Sequence, residues 1–227
     1  MRRGDKAPEV VDLQRRLAAT GFDPGPVDGL FGPHTEAAVK AFQARYGNLA
    51  ADGVAGPLTL AAIRRLEFIQ RVIPPALDLA RRHEIPAAFT AAQAAQEALN
   101  ADGTLSVLAE EYNNLFGVKA RQGEPSVQLM TWEVVSGRRV QVRAAFRTYR
   151  DWGECFEARA QLLLTAVPLV SGRPAYRDAL RFKDDPARYA VAIWDAGYAT
   201  DPAYVAAIVR LLGDYRVAEL VAAARGR

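Results

Sequence analysis

The chain has 227 residues, 50% of them hydrophobic, and a formal net charge of +3 from 29 basic and 26 acidic residues. This length suits one large domain or two small ones with a packed core. Since acidic and basic residues are both plentiful, the charge does not indicate nucleic-acid binding. The lone cysteine, Cys155, excludes an intramolecular disulfide and is predicted to be a buried core residue. Two histidines, His34 and His83, argue against a zinc amidase and, since none follows Cys155, against a Cys/His peptidase.

The first residues, read as MRRGDK, lack the apolar core of a signal peptide, so we expect synthesis in the cytoplasm without one. The longest apolar run, residues 162–170, is interrupted by Thr165 and Pro168 and is too short to span a bilayer. We therefore expect no membrane span and no nucleic-acid partner. No cofactor or metal site is predicted, and we expect a monomer.

A Gly-rich turn occurs twice near the start of the chain. Residues 28–35 read DGLFGPHT, and residues 52–59, which begin 24 positions later, read DGVAGPLT. Each copy predicts a turn followed by a helix that begins at proline, whose missing N–H is tolerated there. Apolar spacing predicts three helices, over residues 10–19, 33–46 and 57–66.

With VDLQRRL at residues 11–17 and AFQ at residues 41–43, this pattern resembles the three-helix peptidoglycan-binding domain of cell-wall lytic enzymes. The resemblance covers the whole module and implies that it binds peptidoglycan. We interpret its turn motif chiefly as scaffold, because glycines accept positive φ and an aspartate can cap the loop. Sugar contact by these residues is the alternative. The motif consists of Asp28, Gly29, Phe31 and Gly32.

No Gly/Ser linker follows this module. LEFI at residues 66–69 leads from the third helix into a further helix over residues 68–82, which Pro74-Pro75 is expected to kink or restart. We therefore predict two domains, residues 1–66 and 67–227, packed close together.

One acid, Glu97, stands in the helix-forming run over residues 87–99 that follows Pro86. Glu97 shares a helix face with Gln93 and Ala94, so the nearest side chains on that face are uncharged. A carboxyl shielded from water in such surroundings has a raised pKa, which is what a general acid for glycosidic cleavage requires. The alternative is a solvated surface glutamate.

Further motifs follow Glu97 in order, and together with AQAAQE at residues 92–97 they resemble the bacterial peptidoglycan glucosaminidases of the flagellar-rod and autolysin type. They are NNLFGVK at 113–119, TWE at 131–133, FRTY at 146–149 and GYATDP at 197–202. The resemblance covers roughly residues 67–215. It implies a mainly α (α+β) chain in which a lysozyme-like helical domain with one β-hairpin lobe follows the three-helix module. After Glu97 the chain reads ALNADG, where the family has Ser, a small residue, Trp and Gly.

Residues 126–148 alternate in the manner of a β-hairpin with its turn at residues 136–138, which places Glu133 near the tip. The resemblance implies that Glu133 is the second catalytic carboxylate. The alternative is an exposed edge-strand charge. Helices are predicted from Trp152 to Val167, from Asp185 to Trp194 and from Asp201 to Leu212.

Tyr198, in the turn before Asp201, is implied by the resemblance to line the cleft and position substrate or water. The alternative is an aromatic plug bonded to backbone. Five further residues are candidates for substrate binding, although either asparagine could instead tie down its loop and Phe116 could be core. They are Gln93, Asn113, Asn114, Phe116 and Tyr149.

The resemblance implies a glycoside hydrolase that cleaves the β-1,4 backbone of peptidoglycan after N-acetylglucosamine, an endo-β-N-acetylglucosaminidase. Glu97 is the predicted acid; Glu133 is a base or a charge stabiliser, or the substrate's N-acetyl group attacks. An N-acetylmuramidase, a lytic transglycosylase and a non-catalytic wall-binding protein are the alternatives. A binding module joined to a wall hydrolase without a signal peptide resembles a phage endolysin released through a holin; a bacterial enzyme with a dedicated export apparatus is the alternative origin.

Overall fold

The computed structural model describes residues 1–135, 138–166, 175–199 and 201–226, except for the side chains of residues 132–135 and 138–139. Its helices are α1 (Pro8–Ala19), α2 (Pro33–Arg45), α3 (Pro57–His83), α4 (Ala87–Ala98), α5 (Val107–Tyr112), α6 (Trp152–Thr165), α7 (Pro186–Asp195), α8 (Tyr204–Asp214) and α9 (Val217–Arg225). A 3-10 helix spans Tyr176–Phe182, and a hairpin consists of β1 (Ser126–Val135) and β2 (Arg138–Arg147). The predicted mainly α (α+β) class is confirmed.

A buried glutamine organises each copy of the Gly-rich turn. The amide nitrogen of Gln14, on α1, donates to Asp28 Oδ1 at 3.2 Å, and its Oε1 accepts from the Gly29 N–H at 3.0 Å. Gln43, on α2, makes the same pair of bonds to Asp52 at 2.9 Å and to Gly53 at 2.9 Å. The internal repeat is therefore a helix and a turn tied together by one amide, which satisfies buried backbone groups.

The turn motif is built into the scaffold of the first module. Gly29 has a φ of +78°, a conformation that L side chains rarely adopt, and the Phe31 side chain is fully buried. Asp28 Oδ1 accepts the Leu30 N–H at 2.9 Å, and Gly32 immediately precedes α2 as its N-cap residue. These contacts support the scaffold interpretation; sugar contact by the motif stays a prediction.

Of the two outcomes predicted for Pro74-Pro75, a helix restart is wrong, because α3 is a single helix of 27 residues with both prolines inside it; a kink stays a prediction. Pro74 is exposed and Pro75 is only partly buried, and the carbonyls that lose their N–H partners belong to Gln70, which is partly buried, and Arg71, which is exposed. The predicted boundary between residues 66 and 67 therefore falls within a continuous helix.

The two halves of the chain are in direct contact, as expected from the absence of a linker. The rings of Tyr46 and Tyr215 stack with centroids 6.4 Å apart, and the Gly47 N–H donates to the Asp214 carbonyl at 2.9 Å. Across another part of the contact, Arg16 Nη1 lies 2.5 Å from Glu67 Oε2. These contacts fix the first module against α3 and the C-terminal helices.

Helix α4 lies at the centre of the second half and packs against α3, α7, α8 and α9. Residues 87–95 are all buried, and most of them are alanines, whose small side chains let neighbouring helices approach closely. The buried Thr90 hydroxyl donates to the Pro86 carbonyl at 3.1 Å, so its polar atom is satisfied inside the helix. The last turn of α4, which carries Glu97, is thereby held at a fixed place in the core.

The hairpin and the three helices predicted after it are present, with ends that differ from the predicted ones by a few residues. In the antiparallel register Glu133 is opposite Val140 and Val135 is opposite Arg138, while residues 136–137 of the turn predicted at 136–138 lie outside the described residues. The last predicted helix begins at Tyr204, with Ala203 as its N-cap residue, and not at Asp201 as predicted. Neither α5, the 3-10 helix nor α9 was predicted. Within the described residues, no helix is long and apolar enough to cross a membrane.

We expect Gly103→Ala to destabilise the protein more than Gly123→Ala does. Both glycines have positive φ, +80° and +86°, so both substitutions strain the backbone. An added Cβ at Gly103 would lie 2.5 Å from the Ala61 carbonyl oxygen, whereas at Gly123 it meets nothing within 4 Å. The excess loss in the free energy of unfolding should be about 1–3 kcal/mol by denaturant titration. Equal losses would contradict the close contact between this loop and α3.

Candidate active site

The Glu97 carboxyl lies in the last turn of α4, partly accessible from the surface. The Tyr198 hydroxyl lies 3.2 Å from its Oε1 and 3.3 Å from its Oε2, and donates to the carboxyl. A Cβ on Gly117 would come within 3.9 Å of Oε2, so the backbone of the NNLFG loop passes close to the acid. The structure thus brings together Glu97, Tyr198 and this loop.

Burial raises the pKa of the Glu97 carboxyl from 4.5 to about 7, because desolvation disfavours the charged form. The positive charge of Arg159 and the polar groups of Tyr198, Gln93 and Tyr204 oppose this rise. The carboxyl also lies near the C-terminal, partly negative end of α4, which favours the neutral form as well. Below neutral pH, Glu97 therefore holds a proton that it can give to a leaving group.

Tyr198 is held by aromatic and cationic contacts. Its ring packs edge-on against Tyr176 with centroids 6.1 Å apart, and the guanidinium carbon of Arg159 lies 4.2 Å from its ring centroid. Burial raises the pKa of the Tyr198 hydroxyl well above its ordinary value, so it remains an O–H donor at neutral pH. The predicted alternative, a hydroxyl bonded to backbone, is wrong, because this hydroxyl bonds to Glu97.

Gln93 lies one helical turn before Glu97 and is 1% exposed. Its amide nitrogen donates to the Tyr204 hydroxyl at 2.5 Å, and its Oε1 accepts from Arg159 Nη2 at 2.9 Å. Gln93 therefore connects α4 to α6 and α8 behind the acid. It has little surface left for a sugar in this conformation, and its predicted contact with substrate stays a prediction.

The two asparagines hold the NNLFG loop in place. Asn113 donates from Nδ2 to the Tyr149 carbonyl at 3.1 Å, and has a φ of +55° that ends α5. Asn114, 1% exposed, donates to the carbonyls of Val118 and Arg147 at 2.9 and 2.8 Å. These bonds support the alternative that both residues tie down the loop, and sugar contact stays a prediction.

Phe116 and Tyr149 are core side chains in this structure, 2% and 6% exposed. Phe116 packs edge-on against Phe156 with centroids 5.3 Å apart. The Tyr149 hydroxyl is buried without a hydrogen-bond partner among the described residues, and burial raises its pKa. This burial supports the core alternative for Phe116, and substrate contact by Phe116 and Tyr149 stays a prediction. Cys155 is fully buried, as predicted, and its sulfur accepts the Leu115 N–H at 3.4 Å.

Glu133 lies on β1 as expected, but its side chain is outside the described residues, so its distance from Glu97 is not part of the site geometry. Among the described residues, no group of three or more His, Cys, Asp or Glu side chains could hold a metal ion.

Arg159 and Tyr204 belong to this site and were missed by the sequence analysis. Arg159 occupies the same face of α6 as the buried Phe156, Ala160 and Leu163, at spacings of three and four residues. An arginine on an otherwise apolar helix face was therefore a readable signal. Tyr204 is 8% exposed and was read only as part of the last helix.

Residues 73–217 match the family model of the glucosaminidases, described as mannosyl-glycoprotein endo-β-N-acetylglucosaminidase. The chain belongs to the glucosaminidase family. Residues 6–63 match the model of a putative peptidoglycan binding domain, so the family resemblances of both halves are confirmed.

Curated relatives of the chain agree with this family assignment. The chain is 30% identical to the peptidoglycan hydrolase FlgJ of Pseudomonas aeruginosa over 70% of its own length and 38% of that protein. It is 32% identical to the exo-glucosaminidase LytG of Bacillus subtilis over 67% of its own length and 52% of that protein. The chain thus spans about half or less of these curated relatives.

The catalytic domain of the Listeria monocytogenes autolysin Auto superposes with a TM-score of 0.57 at 25% identity, covering 69% of this chain and 87% of that domain. The predicted lysozyme-like helical domain with one hairpin is confirmed by this likeness.

We expect the stability of Glu97→Gln, measured relative to wild type, to be greater at pH 8 than at pH 4.5. The folded-state pKa of Glu97 is raised, so its contribution to stability is complete below pH 4.5 and is lost as the pH rises to about 7. The shift corresponds to about 3 kcal/mol at 1.36 kcal/mol per pKa unit. The free energy of unfolding of Glu97→Gln minus that of wild type should increase by this amount between pH 4.5 and 8.

Urea titrations at several pH values measure this difference, and Glu111→Gln, which removes an exposed carboxylate from α5, is the matched control. A difference for Glu97→Gln that does not change with pH would contradict the raised pKa.

Proposed function

We propose that this protein hydrolyses the β-1,4 glycan backbone of peptidoglycan, cutting after N-acetylglucosamine as an endo-β-N-acetylglucosaminidase. The observation that carries the proposal is the Glu97 carboxyl, which has a pKa of about 7, accepts a bond from Tyr198 and remains partly accessible. A carboxyl that stays protonated near neutral pH is the general acid that glycosidic cleavage requires.

In this mechanism Glu97 protonates the glycosidic oxygen while the bond from that oxygen to the anomeric carbon breaks. The electron pair of the bond goes to the leaving oxygen, and positive charge develops on the sugar ring. Glu97 becomes a carboxylate in the same step, and the Tyr198 hydroxyl, 3.2 Å away, donates to it. Tyr198 thus stabilises the charge that appears as the proton leaves.

The second half of the reaction has two candidate routes. Either Glu133 acts as general base on water, or the substrate's own N-acetyl group attacks and Glu133 only stabilises the cationic sugar. Its place on β1 opposite Val140 puts it on the hairpin lobe, as the family resemblance implies. Loss of turnover in Glu133→Gln with unchanged binding to sacculi would support a chemical role for this side chain.

Peptidoglycan is the proposed substrate because of the domain joined to the glucosaminidase-family half. The match of residues 6–63 to a peptidoglycan-binding model and the relatives named peptidoglycan hydrolase and autolysin support this polymer. The mannosyl-glycoprotein in the family description names a different glycan with the same type of sugar at the cleaved bond. We accordingly place the site of action at the cell wall; release through a holin stays a prediction.

The test is clearing of purified Gram-negative sacculi, followed by mass spectrometry of the soluble products. We expect wild type to clear the suspension and to release fragments with N-acetylglucosamine at the reducing end. Glu97→Gln should lose at least about a hundredfold in rate, the magnitude typical of a missing general acid. Glu219→Gln, an exposed carboxylate on α9, is the matched control and should keep the wild-type rate.

Other products would redirect the proposal. Reducing N-acetylmuramic acid ends would keep Glu97 as the acid and change the bond, and anhydro ends would indicate a lytic transglycosylase. Normal turnover by Glu97→Gln would refute the assignment of the acid. If wild type bound sacculi without clearing them, the protein would be a non-catalytic wall-binding protein.

A further inference from the structure

We propose that Arg159 is a positioning residue for the acid: its buried guanidinium holds Tyr198 and Gln93 in place and stabilises the Glu97 carboxylate that forms as the proton is transferred. This inference rests on the proposed role of Glu97 as general acid. It concerns a side chain on α6 that does not reach substrate and acts through its neighbours.

Arg159 is 2% exposed, and yet its charge is largely unpaired. Its Nη2 donates to Gln93 Oε1 at 2.9 Å, while Nε and Nη1 are buried without a hydrogen-bond partner among the described residues. A buried cation is costly unless a carboxylate and hydrogen bonds compensate it, and a purely structural arginine is normally satisfied. The unpaired donors therefore point to a role that requires a positive charge at this place.

The surroundings of Arg159 direct its charge towards the acid. Its guanidinium carbon lies 4.2 Å from the ring centroid of Tyr198 and 5.7 Å from that of Phe116. A cation over the Tyr198 ring makes the phenol a stronger O–H donor, and that hydroxyl bonds to Glu97 at 3.2 Å. Arg159 thus acts on Glu97 in two ways: directly, through its electric field, and indirectly, through the hydroxyl of Tyr198.

The titratable and charged groups that face Glu97 come from four elements. Among the described residues they are Arg159 and Cys155 on α6, Tyr198 after α7, Tyr204 on α8, and Tyr176, which packs against Tyr198 from the 3-10 helix. Burial raises the pKa of Cys155 to about 12 and the pKa values of Tyr198 and Tyr204 still further, so all three are neutral at the pH of the reaction. Arg159 is the permanent charge in this set.

Two opposing effects therefore set the strength of the acid. Burial keeps the proton on Glu97, and Arg159 lowers the cost of losing it. Without the guanidinium the carboxyl would hold its proton to higher pH but would transfer it less readily to a glycosidic oxygen.

The test is the pH dependence of kcat on soluble peptidoglycan fragments for wild type, Arg159→Gln, Arg159→Met and Arg159→Lys. For the two neutral variants we expect the plateau to fall by at least about tenfold, since stabilisation of the forming charge is lost. The basic limb of the kcat profile, where activity falls because Glu97 loses its proton, should move to higher pH by about one unit or more. Arg159→Lys keeps the charge and should hold the limb close to that of wild type while the plateau falls.

A structural role alone would lower the plateau and leave the limb in place, and that result for the neutral variants would overturn the inference. If neither neutral variant folds, Arg159→Lys still tests the role of the charge: a basic limb more than about half a pH unit above that of wild type would overturn the inference. Arg71→Met is the matched control, because Arg71 lies 4.1 Å from the ring of Trp152 in the same kind of contact but is exposed and outside the site. It should move neither the plateau nor the limb.

A second measurement needs no substrate and separates this inference from the proposed function. Unfolding of wild type, Glu97→Gln, Arg159→Gln and the double variant gives the coupling between the two side chains. We expect favourable coupling at pH 8, where Glu97 is ionised, and almost none at pH 5, where it is neutral. This pH dependence in a protein that fails to hydrolyse sacculi would refute the function and uphold the placement of Arg159. Hydrolysis without the coupling would overturn the inference alone.

Discussion

The structure of the second half of this chain depends on placing one carboxyl where water is largely excluded and a buried cation lies nearby. Desolvation raises the pKa of Glu97 to about 7, while the charge of Arg159 and the hydroxyl of Tyr198 oppose a further rise. Either effect alone would give a poorer acid: one that rarely releases its proton, or one that has already lost it at the working pH. The balance requires three elements, α4, α6 and the segment after α7, to meet at one point.

Helix α4 makes that meeting point rigid. Its alanine-rich surface lets α3, α7, α8 and α9 pack around it, so that the last turn is fixed from several sides. Gln93, one turn earlier, ties α4 to Arg159 and Tyr204. The first module packs against the same assembly through Tyr46 and Tyr215, so a wall-bound module would present the acid at a defined distance from the polymer.

Much of this arrangement could be predicted from the sequence, because the signals are local. The repeated DG turns, the helix around Glu97 and the alternating strands of the hairpin follow from spacing and turn chemistry. The predicted restart at Pro74-Pro75 is absent, because packing against α1, α4, α6 and α9 holds α3 together through both prolines. Helix periodicity could have singled out Arg159 as an arginine on an apolar face, but it could not reveal its role, because its partner Gln93 lies 66 residues away on another helix.

The central claim is that Glu97 is a proton donor near neutral pH in the free protein, and a carbon-13 NMR titration of the glutamate carboxyls tests it most directly. The Glu97 resonance is assigned as the one that disappears in Glu97→Gln. We predict a midpoint near pH 7 for this resonance. A midpoint near 4.5, that of an ordinary solvated glutamate, would contradict it.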